Sequence, residues 1–302
     1  MDRRLHAAAL WFAAAVALAT LLAACGGGGS GWPTTAGPIV PAPQIRSDLL
    51  VGYYGGRLDT VLENGADVNL HWATGWEGSG TWHLDVAAEL AHARGAGVRN
   101  IVLALPHGLV WQPGAADEVR FQFVRLQQAG ALDGWDSIMV YPADEPEIPE
   151  NGSHGDAEVA AMVSWLRGVM AGFPALSGKP VGVIYACSSG KRPGIAAFDW
   201  IGCDDYATGC GALGDSYREL VSRMRPEQRL MVVPGGADPW RQNPACFESF
   251  AHGNPRVVAL IGFIWQDRAA PGVGAGIRSN GLRRLYCEAG RKVRYGSPAG
   301  CQ

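Results

Sequence analysis

The sequence has no C-x-x-C pair, no H-x-H and no H-E-x-x-H, so the spacings that usually build a zinc fold or a zinc hydrolase are missing. It has no basic excess either. Its 25 Lys and Arg stand against 28 Asp and Glu, a net charge of −3, which leaves no electrostatic footprint for nucleic acid. Beyond Leu22 no apolar run is long enough to span a bilayer. What is present is a hydrophobic fraction of 48%, which suits a globular enzyme with a sizeable core.

The N-terminus reads as a targeting segment. Arg3 and Arg4 precede a nearly continuous apolar run from Ala7 to Leu22, followed by Leu22-Ala23-Ala24-Cys25. This is the layout of a secretory signal. Leu-Ala-Ala-Cys resembles the lipobox of bacterial lipoproteins, which implies cleavage before Cys25 and lipid on its sulfur and its new amino group. The resemblance implies a chain anchored through Cys25 to a membrane of the bacterial cell envelope. Gly26 stands where lipoproteins kept in the inner membrane often carry Asp, which favours the outer membrane, on its periplasmic side or its surface. The alternative is an ordinary signal peptide or an N-terminal anchor. Residues 25–44 are rich in Gly, Pro, Ser and Thr and read as a tether. The expected layout is a signal peptide over 1–24, a tether over 25–44 and one domain over 45–302, with a monomer the simplest state.

Setting Cys25 aside, six cysteines remain: Cys187, Cys203, Cys210, Cys246, Cys287 and Cys301. An even number in an exported protein suggests up to three disulfides. Cys203 with Cys210, and Cys287 with Cys301, are plausible local bridges, though spacing alone does not choose.

Eight short apolar runs recur along the domain: Leu49–Tyr54, Asp67–Trp72, Asn100–Leu105, Ser137–Tyr141, Pro180–Tyr185, Trp200–Asp204, Arg229–Val233 and Val257–Trp265. They have the character of parallel strands covered on both faces. Amphipathic stretches lie between them over 84–94, 119–128, 158–170, 216–224 and 281–288. Alternation of this kind predicts βαβ units, and eight of them in about 250 residues predict an α/β fold closed as a (β/α)8 TIM barrel. The fifth unit leaves little room for a helix, so distortion is expected there. The first strand-to-helix turn holds Gly55-Gly56 but no G-x-G-x-x-G, and no cofactor is called for.

Active sites of such barrels form at the C-terminal strand ends. The fourth run ends there in Asp144-Glu145-Pro146-Glu147. Around the same mouth these strands would gather Tyr53, Tyr54, His71, Trp72, His107, Tyr185, Asp204, Asp205, Tyr206, Trp240, Trp265 and Gln266. Aromatic plates mixed with acids suit a sugar, whose C–H face stacks on a ring while its hydroxyls need polar partners. Asp144-Glu145-Pro146 resembles the Asn-Glu-Pro that ends the fourth strand in retaining glycoside hydrolases of the large barrel clan. The resemblance implies that Glu145 is the general acid/base and that Asp144 contacts a hydroxyl next to the reacting carbon. Trp265 matches the aromatic floor that the clan places under the reacting sugar. The seventh run departs from the clan, because Val233-Pro234-Gly235-Gly236-Ala237-Asp238 has no Glu for the nucleophile. Asp238 or Asp205 is the substitute expected. Val51-Gly52-Tyr53-Tyr54 also resembles chitinase-like barrels, but their D-x-x-D-x-D-x-E is missing. Two other functions stay open: a carbohydrate-binding barrel without turnover, and a metal-assisted hydrolase using His71, His107, Asp144 and Asp205.

Overall fold

The structure, a computed structural model, describes residues 45–54, 69–74, 86–106, 108–204, 206, 210–239, 242–264, 267 and 273–301, with backbone alone for 150 and 210–214. The candidates His107, Asp205, Trp240, Trp265 and Gln266 lie outside the described residues, as does Cys25.

Eight strands carry the fold: β1 Leu50–Tyr53, β2 Leu70–Thr74, β3 Asn100–Ala104, β4 Ser137–Asp144, β5 Val181–Ala186, β6 Trp200–Asp204, β7 Arg229–Val233 and β8 Val257–Gly262. They form one sheet in the order β1-β8-β7-β6-β5-β4-β3-β2, every ladder parallel. The described helices are α1 Val86–Gly95, α2 Ala115–Gln128, α3 Asp156–Met170, α4 Cys210–Arg223, α5 Ala245–Gly253 and α6 Arg283–Tyr295. This is the expected (β/α)8 barrel. Helix α5 has no counterpart among the predicted stretches, because its nine residues give too short a window for the helical period to emerge.

Side chains alternate between two cores, as strand geometry requires. Leu50, Leu70, Trp72, Val102, Met139, Ile184, Trp200, Met231 and Ala259 point inward and fill the barrel. Their neighbours Val51, Ile101, Val140, Val183, Ile201 and Leu260 point outward beneath the helices.

The ring closes between β1 and β2 without a full ladder. Asn69 serves as the clasp: its Oδ1 accepts the Val51 N–H at 2.6 Å, its Nδ2 donates to Leu49 O at 3.2 Å, and its own N–H donates to Val51 O at 3.1 Å. Gly52 is required beside it, since a Cβ there would stand 2.4 Å from Leu70 O. We expect Asn69→Ala to lower stability by about 1–3 kcal/mol, because it strands a buried donor at the seam, and chemical denaturation reads the change.

The fifth unit has no α-helix. Two single 3-10 turns, Cys187–Ser189 and Ile195–Ala197, join β5 to β6. Arg192 fills part of the gap, donating to the carbonyls of Ala186, Cys187 and Lys191. A disulfide crosses the same gap and corrects one expected pairing: Cys203 bonds Cys187, with Cα atoms 5.0 Å apart, and not Cys210. The β5–β6 register sets Tyr185 opposite Cys203, so Cys187 emerges beside it. Cys287 and Cys301 pair as expected, at 5.8 Å, and Cys246 is also disulfide-bonded.

Candidate active site

Strand β4 delivers its acids through a bulge. Val140 pairs with Val181, but Ala143 pairs with Val183, so β4 spends one residue more than β5 over this stretch. Pro142 lies inside it and has no N–H to offer the ladder. The extra residue reverses the alternation. Met139 and Tyr141 face inward, Ala143 faces the helices, and Asp144 returns to the barrel mouth. There Asp144 accepts the Tyr54 hydroxyl at 2.7 Å and the Tyr141 hydroxyl at 2.5 Å.

Glu145 follows in the left-handed region, at φ 40°. Its surroundings hold this unfavourable conformation. Its N–H donates to Ile184 O at 2.9 Å, and its carbonyl accepts from Ile148 N at 3.2 Å and from Asn151 Nδ2 at 3.2 Å. Asn151 also donates to Asp144 O at 2.9 Å. Two residues on, Glu147 is buried and pins the loop to β5 by accepting from Ala186 N at 2.7 Å and Ser189 Oγ at 3.1 Å. Burial raises the Glu147 carboxyl above its ordinary range, against the opposing hydrogen bonds. Glu147→Ala should loosen this loop and cost about 1–3 kcal/mol in thermal or denaturant unfolding.

Asp204 ends β6 with the parity of Trp200 and Gly202, so it faces inward. Its carboxyl hydrogen-bonds Glu145 and Tyr206. Burial is the main cause that pushes Asp204 well above the usual carboxylate range. The charges of Glu145 and Asp144 add to it, while the Tyr206 hydrogen bond opposes it. Burial likewise pushes up the phenols of Tyr54, Tyr141 and Tyr206, with neighbouring carboxylates adding to each. All three tyrosines are therefore neutral donors at physiological pH.

Aromatic rings make the floor around these acids. Tyr54 lies 4.4 Å from Trp72, Trp72 lies 4.8 Å from Tyr141, and Phe263 stacks on Tyr206 at 4.7 Å. On one wall, Trp111 of the β3–α2 loop stacks on His154 of the β4–α3 loop at 3.7 Å.

The structure thus brings Asp144, Glu145, Trp72 and Tyr206 together. Three expected contacts go elsewhere, each because it occupies the outward position of its strand. Tyr53 packs with Ile277 and Tyr286. His71 faces α1, its Nε2 2.6 Å from Glu89. Tyr185 donates to Pro193 O and lies under Arg192. Asp238 sits half-buried beyond β7, its backbone tied to Gly274 and Ala275. The acid beside Glu145 is Asp204, where the sequence favours its neighbour Asp205 as the substitute nucleophile. Counting in twos from the inward Trp200 would have selected it over Asp205. Tyr54 faces the mouth as expected, and Tyr141, at an inward position of β4, is a site residue the sequence reading does not single out. A groove between α2 and α3, lined by Arg120, Val124, Gly168 and Phe173, lies on the outer wall and not at these acids.

Burial and the neighbouring charges of Glu145 and Asp144 disfavour ionising Asp204, so the cluster favours keeping a proton there. The arrangement is suited to keeping a proton and delivering it.

No protein-family model matches this chain, and no curated protein is similar to it in sequence. Solved structures share its fold. One is an active-site mutant of the β-1,3-glucanosyltransferase of Rhizomucor miehei in complex with laminaritriose. It is 13% identical, with 76% of this chain and 91% of that one covered and a TM-score of 0.50. Another is the GH113 β-mannanase of Alicyclobacillus acidocaldarius in complex with ManMIm, 12% identical, with 82% and 97% covered and a TM-score of 0.51. The chain has the barrel fold of these glycan-active enzymes.

Proposed function

We propose that this chain is an envelope-tethered glycoside hydrolase acting on a poly- or oligosaccharide, with Glu145 as its general acid/base. The observation that carries the reading is the half-buried Glu145–Asp204 pair at the C-terminal strand ends, set among aromatic rings. An acid that keeps its proton toward neutral pH is what glycosidic cleavage requires. The fold shared with a glucanosyltransferase solved with laminaritriose supports a carbohydrate ligand.

In this mechanism a glycan lies across the mouth with one sugar on the aromatic floor. Glu145 passes the shared proton to the glycosidic oxygen as the C–O bond breaks, and the leaving sugar departs as an alcohol. Water later adds to the anomeric carbon and gives its proton to Glu145, which restores the pair. Asp144, held by Tyr54 and Tyr141, accepts a hydrogen bond from the hydroxyl beside the reacting carbon. Asp204 is the positioning residue that keeps the proton on the pair. The metal-assisted alternative loses support because His71 faces α1. The lipid on Cys25 keeps the enzyme beside envelope or imported glycan.

The test is to incubate the full chain with a panel of β-linked glucans, mannans and envelope polysaccharides and to measure new reducing ends. Release from one class is the expected result. Tight binding of a glycan with no product at high protein concentration would replace this reading with that of a carbohydrate-binding barrel.

A further inference from the structure

The barrel is electrically polarised along its axis. Every described helix runs against the strands, so each ends at the N-terminal face, opposite Asp144, Glu145 and Asp204. The last turns of α1, α2, α3, α4 and α6 each carry Arg or Lys, while the first turns of α1, α2, α3 and α5 carry Asp or Glu. Such bases complement the helix dipoles. The connections on that face add exposed Arg99, Arg225 and Arg229 against exposed Asp48, Asp133, Asp136 and Glu227, the last 3.0 Å from Arg225, and with the helix-end bases the cations predominate. A chain with a net charge of −3 therefore presents a basic underside and an acidic mouth.

The chain also enters the barrel on this underside. Ile45 and Arg46 precede β1, and Arg46 N–H donates to Val293 O near the end of α6 at 2.8 Å. The Arg46 guanidinium donates to Val257 O at the start of β8, at 2.7 Å. Cys25 precedes Ile45 by 20 residues, and the segment that follows it joins the domain on this cationic face.

We propose that the N-terminal face of the barrel rests on anionic phospholipid headgroups, which turns the Glu145–Asp204 site away from the bilayer. The proposal builds on the tethered reading given above. Arg99, Arg225 and Arg229 supply the contact, and the acidic mouth is repelled by the same surface. A site aimed outward is open to polymeric glycan, whereas one pressed on the bilayer would admit only short pieces.

The experiment compares hydrogen exchange of the full chain on vesicles of phosphatidylcholine alone and of phosphatidylcholine with phosphatidylglycerol. The segments holding Arg99, Arg225 and Arg229 and the end of α6 should exchange at least about two-fold more slowly on the anionic vesicles. The difference should fade near 1 M salt, where screening shortens the electrostatic reach to about 3 Å. Charge reversal at all three sites (R99E, R225E and R229E together) should erase the protection while thermal unfolding stays cooperative. Should that variant fail to fold, the salt series on the native chain decides alone. Equal exchange on both vesicles, or protection of the mouth loops, would overturn the proposal. Intact mass reports separately whether Cys25 carries lipid. If it does not, the chain is added to vesicles from solution and the same comparison is read, so failure of the anchor is not mistaken for failure of the face.

Discussion

Glu145→Gln should leave the barrel folded and slow hydrolysis of the susceptible glycan by about 10²–10⁴-fold, the usual worth of a positioned acid/base. Gln keeps the size of the side chain and can still accept a hydrogen bond from Asp204, so the loop from Asp144 to Asn151 has no reason to move. It cannot release a proton to the leaving oxygen. The loss should therefore fall on kcat, with KM nearly unchanged, because the aromatic floor of Trp72, Tyr54 and Phe263 is untouched. Substrates with a good leaving group, such as nitrophenyl glycosides, should lose much less, since they need little protonation. Undiminished hydrolysis of the natural polymer would remove Glu145 from the mechanism.

The places where sequence and structure part company share one physical origin. Both faces of every strand are buried, so hydropathy does not alternate and the runs do not reveal which residues face the mouth. Strand positions survive this ambiguity: β6 spans Trp200–Asp204 and β7 spans Arg229–Val233, as the sequence predicts. Parity does not survive it. Tyr53 and Tyr54 look alike in the sequence, and so do His71 and Trp72 or the two acids Asp204 and Asp205. In the first two pairs the fold turns only the second residue inward. The bulge at Pro142 was harder still. Unbroken alternation from Tyr141 would send Asp144 to the helix layer, and only the register with β5 shows the phase change. The seam at Asn69 and the Cys187–Cys203 bond depend on contacts between strands that no local pattern records.

Asp204→Asn should move activity and stability in opposite directions. The folded-state pKa of Asp204 lies well above its ordinary 3.8, chiefly through burial and then through Glu145 and Asp144. A carboxyl raised in the folded state contributes its stability in full below the unfolded pKa and loses it as pH climbs through the folded one. Native protein therefore forfeits stability from just above pH 4 upward, because the unfolded chain ionises this carboxyl more readily than the folded one does. Asn does not titrate. The variant should match the native protein near pH 4 and exceed it at pH 7–8 by about 0.5–2 kcal/mol, a gain of a few degrees in Tm. Hydrolysis should fall at least about 10-fold at neutral pH. The alkaline limb of kcat/KM should shift toward lower pH, because Glu145 no longer shares its proton with a second carboxyl. Parallel melting curves across pH 4–8 would show that Asp204 bears no such cost. A residue that destabilises the resting fold and yet speeds its chemistry is what a working proton store looks like, and a purely structural acid at the end of β6 would lose stability on the same substitution.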